Sequence, residues 1–308
     1  MTKIKTNKRV MVIIGGFSSE REVSIKSGTN VAQALKKRNY DVIIHDLTDS
    51  KKLIDELNTQ KPDVVFNALH GNWGEDGTIP ALLDLLQIPY THSGMLASAV
   101  GMNKHLCKLI AEKSNIKTAL GQKMTAREFI TKAPTLARPF IVKPVSDGSS
   151  IGVFIVNNPE DIFKIRYNDP ETELLIEKYI PGHELTVMCY QGKSSVVTEL
   201  KPQVGFYDYE NKYTQDKTTH ILPADIPEDI KNTCLSYAEI MHKKLGCKTI
   251  SRSDFRYNPT DGVVFLEINT HPGLTDLSLV PEQANSVGIS YEDLCQTLVE
   301  EATCRPLK

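Results

Sequence analysis

Two neighbouring segments, Thr249–Asn258 and Val263–Gly273, restrict the fold more than any others. Each reads as a strand, and each carries polar groups among apolar neighbours. In VVFLEINTHPG the polar pair is Glu267 and Asn269. Side chains alternate across a strand, so these two share a face with Val263 and Phe265, while Val264, Leu266 and Ile268 point the other way. Pro259-Thr260-Asp261-Gly262 between the segments reads as a four-residue hairpin loop. If Asn258 and Val263 close that loop, Asp254 faces Glu267 and Arg252 faces Asn269. Like charges directly opposite repel, and a divalent cation removes that objection. All-oxygen ligands favour a hard ion such as Mg²⁺, with water and phosphate oxygens completing an octahedron. A slip of one residue breaks the arrangement, and the alternative is a surface hairpin with a salt-bridged polar face.

The chain of 308 residues is long for one core and suits two or three domains. Its net charge of −2 gives no electrostatic case for nucleic acid or an anionic membrane. Six cysteines without a Cys-x-x-Cys pair read as reduced thiols of a cytosolic protein. The apolar run after the basic MTKIKTNKR is too short for a signal sequence. No stretch approaches the roughly 20 apolar residues of a membrane span.

The first third alternates strands (Val10–Ile14, Asp41–His45, Asp63–Ala68, Ile88–Tyr90) with helices (Glu20–Arg38, Ile79–Leu86). This rhythm implies a parallel α/β sheet. A helix is expected over Ala97–Lys113. Further on, strands Arg138–Lys143, Gly152–Val156, Glu173–Ile180, Glu184–Tyr190 and Ser194–Lys201 recur at hairpin spacing. A helix is read near Pro159–Ile165. The fold class is therefore α/β plus α+β. Helices Glu228–Leu245 and Tyr291–Ala302 flank the polar hairpin. Domain cuts are placed near 102 and 185, giving units 1–102, 103–185 and 186–308.

Several loops carry candidate chemistry. GGFSSERE (Gly15–Glu22) follows the first strand, and Ser19 with Glu22 fits a capping box. That leaves Glu20 and the paired glycines for a ligand. HGNWGEDG (His70–Gly77) leaves another strand end, where ligands bind in open α/β sheets. His70 there is either structural or a substrate contact. In KPVSDGSSIG (Lys143–Gly152), Gly and Ser let N–H groups and hydroxyls converge on phosphate, and Lys143 neutralises charge. A plain hairpin turn is the alternative. Glu177–Ile180 ends a strand whose backbone can meet a purine edge. VGFYDYENKYTQDKTTH (Val204–His220) has four aromatics and no clear period, which suits a closing lid.

Taken together and in this order, GGFSSEREVS, HGNWGEDG, VKPVSDGSSIG, EKYIPGHE, FYDYENKY, RSDF and EINTHPG resemble the D-alanine–D-alanine ligase family of ATP-grasp enzymes. The resemblance runs from about Val10 to Ala302. It implies an ATP-grasp fold behind an N-terminal parallel α/β domain, with ATP between the last two domains. By this resemblance Lys104, Lys143 and Ser150 contact ATP, with Lys212 of the lid near the γ-phosphate. Glu177, Lys178 and Ile180 hold adenine, and Glu184 holds ribose. Asp254, Glu267 and Asn269 bind two Mg²⁺ (or Mn²⁺). Glu20 holds the first D-alanine, and His70, Ser278 and Leu279 line the substrate site. Arg252 and the N–H of Gly273 stabilise an oxyanion, and Ser149 with Tyr213 bridges to Glu20. The implied reaction joins two D-alanines through a D-alanyl phosphate, for peptidoglycan synthesis in the cytoplasm, in a homodimer.

Three departures stand out. Asp147 replaces a frequent Glu, Asn103 precedes Lys104 where Asp is common, and His271 occupies a variable position, where a surface role is expected. A D-alanine–D-lactate ligase and a non-catalytic ATP-binding protein are the rival readings. Tyr213 argues against the first. Intact Lys143, Arg252, Asp254, Glu267 and Asn269 argue against the second, because a degenerate copy loses costly paired charges first.

Overall fold

The computed structural model describes residues 8–132, 134–149, 151–202 and 218–307. Its first sheet has the order β2 (Asp41–Leu47), β1 (Arg9–Gly15), β3 (Val64–Asn67), all parallel. Val10 to Ile13 of β1 are fully buried, as expected for a central parallel strand covered on both faces. Val10, Val12 and Ile14 pack toward α1 (Arg21–Lys37), while Met11 and Ile13 pack toward Leu53 and Leu57 of α2 (Ser50–Gln60) and Ile79 and Leu83 of α3 (Thr78–Leu85). Each such side chain removed from water stabilises the fold by roughly 1.5–3 kcal/mol.

The expected strand Ile88–Tyr90 shrinks to isolated bridges from Tyr90 to Val65 and Thr303. The single helix expected over Ala97–Lys113 is two, α4 (Met95–Met102) and α5 (Lys104–Lys113). Asn103 breaks it with ψ 97° and caps α5, its side chain accepting from the N–H of Leu106 at 3.0 Å.

A second sheet runs β4 (Gly121–Thr125), β7 (Glu173–Lys178), β5 (Phe140–Pro144), β6 (Phe154–Val156), antiparallel throughout. Beside it lie α6 (Ala126–Thr131) and, at Pro159–Lys164, the helix expected near Pro159–Ile165, which takes the tighter 3-10 form. The third sheet runs β11 (Thr218–Ile221), β10 (Thr198–Pro202), β8 (His183–Tyr190), β12 (Ile250–Asn258), β13 (Gly262–Asn269), with β9 (Lys193–Ser194) also on β8. One face is covered by α5 and α7 (Glu228–Leu245), which bury Phe255, Phe265 and Ile268. The last helices, α8 (Leu279–Ser286) and α9 (Tyr291–Glu300), share a core with α1 and β1. Met188 and Ile250 of the third sheet join that core, so the first and third sheets form one packed body.

The polar hairpin departs from expectation in two compensating ways. Asn258 pairs with Gly262, not Val263, so the loop is one residue shorter. A bulge between Asp254 and Phe255 then restores Asp254 opposite Glu267 and Arg252 opposite Asn269. The bulge also resets the alternation of faces. Val263 and Phe265 lie in the helix-covered core with Ile268, not on the side of Glu267 and Asn269. Val264 packs with Ala119 and Ile180 instead.

Candidate active site

Between the second and third sheets lies a cavity of about 560 Å³. Ile141 and Ile155 from one sheet and Leu200 and Leu266 from the other supply apolar walls. Ile180, Tyr179 and Lys178 border it on the segment after β7. The size and apolar lining suit a flat heterocycle.

Charged side chains line the same cavity. Lys143 stands at the close of β5, and its Nζ lies 2.7 Å from Glu177 on β7. Lys108 of α5 reaches the other oxygen of Glu177 at 2.6 Å and also donates to the carbonyl of Ala119. Burial alone would lower the Lys143 pKa, but the charges of Glu177 and Glu267 outweigh it and raise it. Burial alone would raise the Glu177 pKa, but its two lysines hold it below the usual range. Glu177 thus fixes the lysine expected at phosphate, whatever it offers to a base.

Glu184, also on the cavity wall, is held by Arg256, Nη1 to Oε2 at 2.9 Å, and the same guanidinium donates from Nε to the carbonyl of Ile180 at 2.9 Å. Arg256 was not singled out from sequence. The signal was there: Arg252, Asp254 and Arg256 alternate along β12 and so share one face. Lys178 is tied to Asp261 of the hairpin loop at 2.7 Å.

Asp254 and Glu267 both line the large cavity. Arg252 grips Asp254 with two hydrogen bonds, 3.0 and 2.9 Å, and Thr186 donates to it at 2.6 Å. A carboxylate has about four acceptor sites, so roughly one remains after these three contacts. Among the described residues no cluster of three His, Cys, Asp or Glu could hold a metal. The set expected here includes a carboxamide instead. Asn269 lies two residues beyond Glu267, and its Oδ1 accepts from the N–H of His271 at 2.8 Å. Two carboxylates and a carboxamide remain compatible with a hard cation that draws its other ligands from phosphate and water.

A smaller cavity of about 90 Å³ adjoins the first and shares Lys104, Asp147, Gly148 and Glu267 with it. Lys104 opens α5, donates from Nζ to the carbonyl of Asp147 and approaches Glu267 at 3.9 Å. Its backbone N–H bonds Val145 at 2.9 Å, docking the helix on the serine loop. Asp147 keeps the carboxyl expected there, its pKa raised by burial.

Glu20, buried just before α1, accepts a hydrogen bond from Ser149. Gly71 makes room for it. A Cβ there would lie 3.1 Å from the Glu20 carboxylate, and φ of +67° disfavours any other residue. His70 lies within hydrogen-bond range of Glu75 from Nδ1 (3.0 Å) and of Ser27 from Nε2 (3.2 Å). A neutral ring donating to the carboxylate accepts from the hydroxyl. Burial raises the Glu75 pKa despite His70. A Cβ on Gly273 would stand 3.0 Å from Ser278 Oγ and 3.8 Å from His70, so this stretch of backbone presents itself bare. Arg252, Asn269, Ser278 and Leu279 complete the wall.

The structure thus brings together Glu20, His70, Lys104, Lys143, Ser149, Glu177, Lys178, Ile180, Glu184, Arg252, Asp254, Glu267, Asn269, Gly273, Ser278 and Leu279 around two joined cavities. Ser150, Lys212 and Tyr213 lie outside the described residues. His271 is not at the surface: it is 3% exposed, stacked on His92 at 3.8 Å and within 3.3 Å of the Asn67 amide. The aromatic stack explains its burial, and burial keeps both rings neutral, with His92 lowered to about 3.

Residues 111–300 match the family model described as "D-ala D-ala ligase C-terminus", and 9–62 with 47–93 match "D-ala D-ala ligase N-terminus". The chain is 47% identical over 305 residues to a D-alanine--D-alanine ligase of Zymomonas mobilis, covering 96% of this chain and 94% of that one. A counterpart from Erythrobacter litoralis is 45% identical, with coverage of 95% and 93%. Among solved structures, a D-alanine--D-alanine ligase from Bacillus anthracis superposes with a TM-score of 0.84 at 32% identity, over 96% and 97% of the two chains. A D-Ala:D-Ser ligase from Enterococcus faecalis gives 0.78 at 26%, over 96% and 99%. Matches that span nearly the whole chain in sequence and in fold place it in the D-alanine–D-alanine ligase family.

Proposed function

We propose that this enzyme joins two D-alanines into D-alanyl-D-alanine at the expense of ATP, through a D-alanyl phosphate. One observation carries the reading. A nucleotide-sized cavity and an amino-acid-sized cavity meet at Lys104, Asp147, Gly148 and Glu267, where a γ-phosphate would pass from one to the other.

In the first step a carboxylate oxygen of D-alanine attacks the γ-phosphorus, and the bond to the β-phosphate oxygen breaks, releasing ADP. Lys143, fixed by Glu177, and Lys104 offset charge on the transferring group. Glu20 takes the ammonium of this substrate, held in place by Ser149. Asp254, Glu267 and Asn269 would hold Mg²⁺, which when bound neutralises phosphate charge. In the second step the amine of the other D-alanine attacks the acyl carbon, loses a proton, and phosphate leaves. Arg252 and the N–H of Gly273 receive the negative charge that grows on the carbonyl oxygen. Ser278 and Leu279 orient the incoming amine. Glu184 is assigned to the ribose, and the backbone of Lys178 and Ile180 to the adenine edge.

No helix among the described residues is long and apolar enough to cross a membrane. A cytoplasmic place in peptidoglycan precursor synthesis and a homodimeric state are part of this reading. Light scattering on purified protein tests the last, and a monomer at working concentration refutes it.

The decisive test is mass spectrometry of products from purified enzyme with ATP, Mg²⁺ and D-alanine, with D-serine or D-lactate added in parallel at neutral pH. D-alanyl-D-alanine with matching ADP is expected. A mixed product formed in preference would reassign the second substrate, and ATP binding without any condensation would refute catalysis.

A further inference from the structure

We propose that Gln283 is a positioning residue that holds the second-substrate residues, Ser278 and Leu279, in register with the Asp254 face of the third sheet. The inference rests on the assignment of the second D-alanine to those two residues.

The argument begins with an interruption in strand pairing. β10 runs along β8 only as far as Thr198 opposite Thr186, and β9 takes up the same strand at Ser194 opposite Cys189. Between them the Gln283 side chain supplies the missing partners. Its Oε1 accepts from the Met188 N–H at 2.7 Å, and its Nε2 donates to the Thr186 carbonyl at 3.1 Å and to Thr198 Oγ1 at 3.0 Å. The amide therefore acts as a one-residue strand, with its oxygen and both N–H groups engaged.

Gln283, Thr186 and Thr198 are wholly buried. Packing alone would be served by an apolar residue, and a buried amide is costly unless every group is paired. What the amide adds is direction: three hydrogen bonds permit one position of α8 along β8, where an apolar contact would allow sliding.

Both ends of this link lie at the site. Thr186, which receives the Gln283 donor on its carbonyl, donates its own hydroxyl to Asp254 at 2.6 Å. Gln283 follows Leu279 by one helical turn and so lies on the same side of α8. Leu279 packs on Leu200 of β10, and both side chains face the cavities. A shift of α8 would carry Ser278 and Leu279 away from the acyl carbon while leaving Lys143, Glu177 and Glu184 in place. The second step should suffer and the first should not.

The experiment uses the full chain and three variants: Gln283→Met, Thr198→Val, which removes one acceptor of the amide, and Ser278→Ala. Initial rates over a wide D-alanine range give separate KM values for the two substrate molecules, and a parallel series gives KM for ATP. Hydroxylamine added in place of excess D-alanine traps the acyl phosphate as D-alanine hydroxamate and reports the first step alone. For Gln283→Met we expect the second D-alanine KM to rise on the order of tenfold. Dipeptide should fall relative to hydroxamate, with the KM values for ATP and the first D-alanine within about twofold of the parent. Thr198→Val should move in the same direction by less. Equal losses of dipeptide and hydroxamate with unchanged KM values in both variants would reduce Gln283 to a core residue and overturn the proposal. If Ser278→Ala raises the second KM while the other two do not, the inference alone fails. If Ser278→Ala leaves it unchanged, the substrate assignment fails and the inference falls with it.

Discussion

Replacing Glu177 with Gln removes the negative charge that Lys108 and Lys143 share while keeping the shape of the side chain. All three side chains are about nine-tenths buried, at 8% exposure for Glu177 and 10–11% for the lysines. Removing one member of a buried ion pair costs about 3–5 kcal/mol, because the partners stay desolvated and uncompensated. Unfolding entropy near the midpoint is about 2.1 cal/mol/K per residue, or roughly 0.65 kcal/mol/K for 308 residues. If the chain unfolds as one unit, Glu177→Gln should lower Tm by about 5–8 °C at pH 7. The gap must also depend on pH. The Glu177 pKa is depressed below 4.5 in the folded state, so its contribution is complete above 4.5 and is lost as pH falls through the folded value. Calorimetry should show a constant gap between parent and variant from pH 7 to 5, closing below 4.5. The ATP KM should rise at the same time, because Lys143 loses its anchor. A Tm unchanged within about 1 °C, with only the ATP KM altered, would refute the argument. Glu177 would then serve the nucleotide directly and the lysine clamp would be incidental.

Other perturbations separate site chemistry from scaffold. Asp254→Asn should cut Mg²⁺-dependent turnover on the order of 100-fold. It should cost no more than about 1–2 kcal/mol by thermal melt, because Asn keeps an oxygen that can accept from Thr186 and from Arg252 Nε; equal losses in both would make the hairpin structural. His92 is lowered from 6.5 to about 3 by burial, so its contribution is whole above pH 6.5 and falls away below it. The slope is about 1.4 kcal/mol per pH unit. His92→Asn, which tolerates the φ of 69° at that position, should therefore show a shallower fall in urea midpoint between pH 6.5 and 4.5, and parallel curves would refute this. Asn103→Ala should cost about 1 kcal/mol and raise the ATP KM by loosening Lys104, whereas Asn103→Asp should match the parent in both melts and kinetics.

That last pair rests on a physical reason why one departure from the family pattern should be harmless. Asn and Asp cap a helix almost equally, and capping is what position 103 does. The parallel sheet was readable because β1 is apolar on both faces, a pattern that few other structures produce. What could not be read was long-range satisfaction of polar groups. Lys108, Arg256 and Gln283 look like ordinary helix and strand residues, and only the fold shows that they tie α5 to β7, β12 to the backbone of Ile180 and α8 to β8. His271 was misplaced for the same reason: the ring that covers it, His92, lies far away in sequence.

The hairpin carries this argument furthest. The pairing of Asp254 with Glu267 was expected from a loop closed by Asn258 and Val263, yet the loop closes on Gly262. A regular ladder from that closure would put Asp254 opposite Leu266, an apolar side chain where the expected metal site calls for a second carboxylate. The bulge absorbs the offset, and it sits between Asp254 and Phe255, beside the carboxylates. It also lets Ile268 join Phe265 in the helix-covered core while Leu266 and Glu267, adjacent in sequence, both face the cavity. Two consecutive residues cannot share a face in a regular strand. The bulge is what allows one strand to present an apolar side chain and a carboxylate to the same cavity, so it shapes that cavity as much as the carboxylates do.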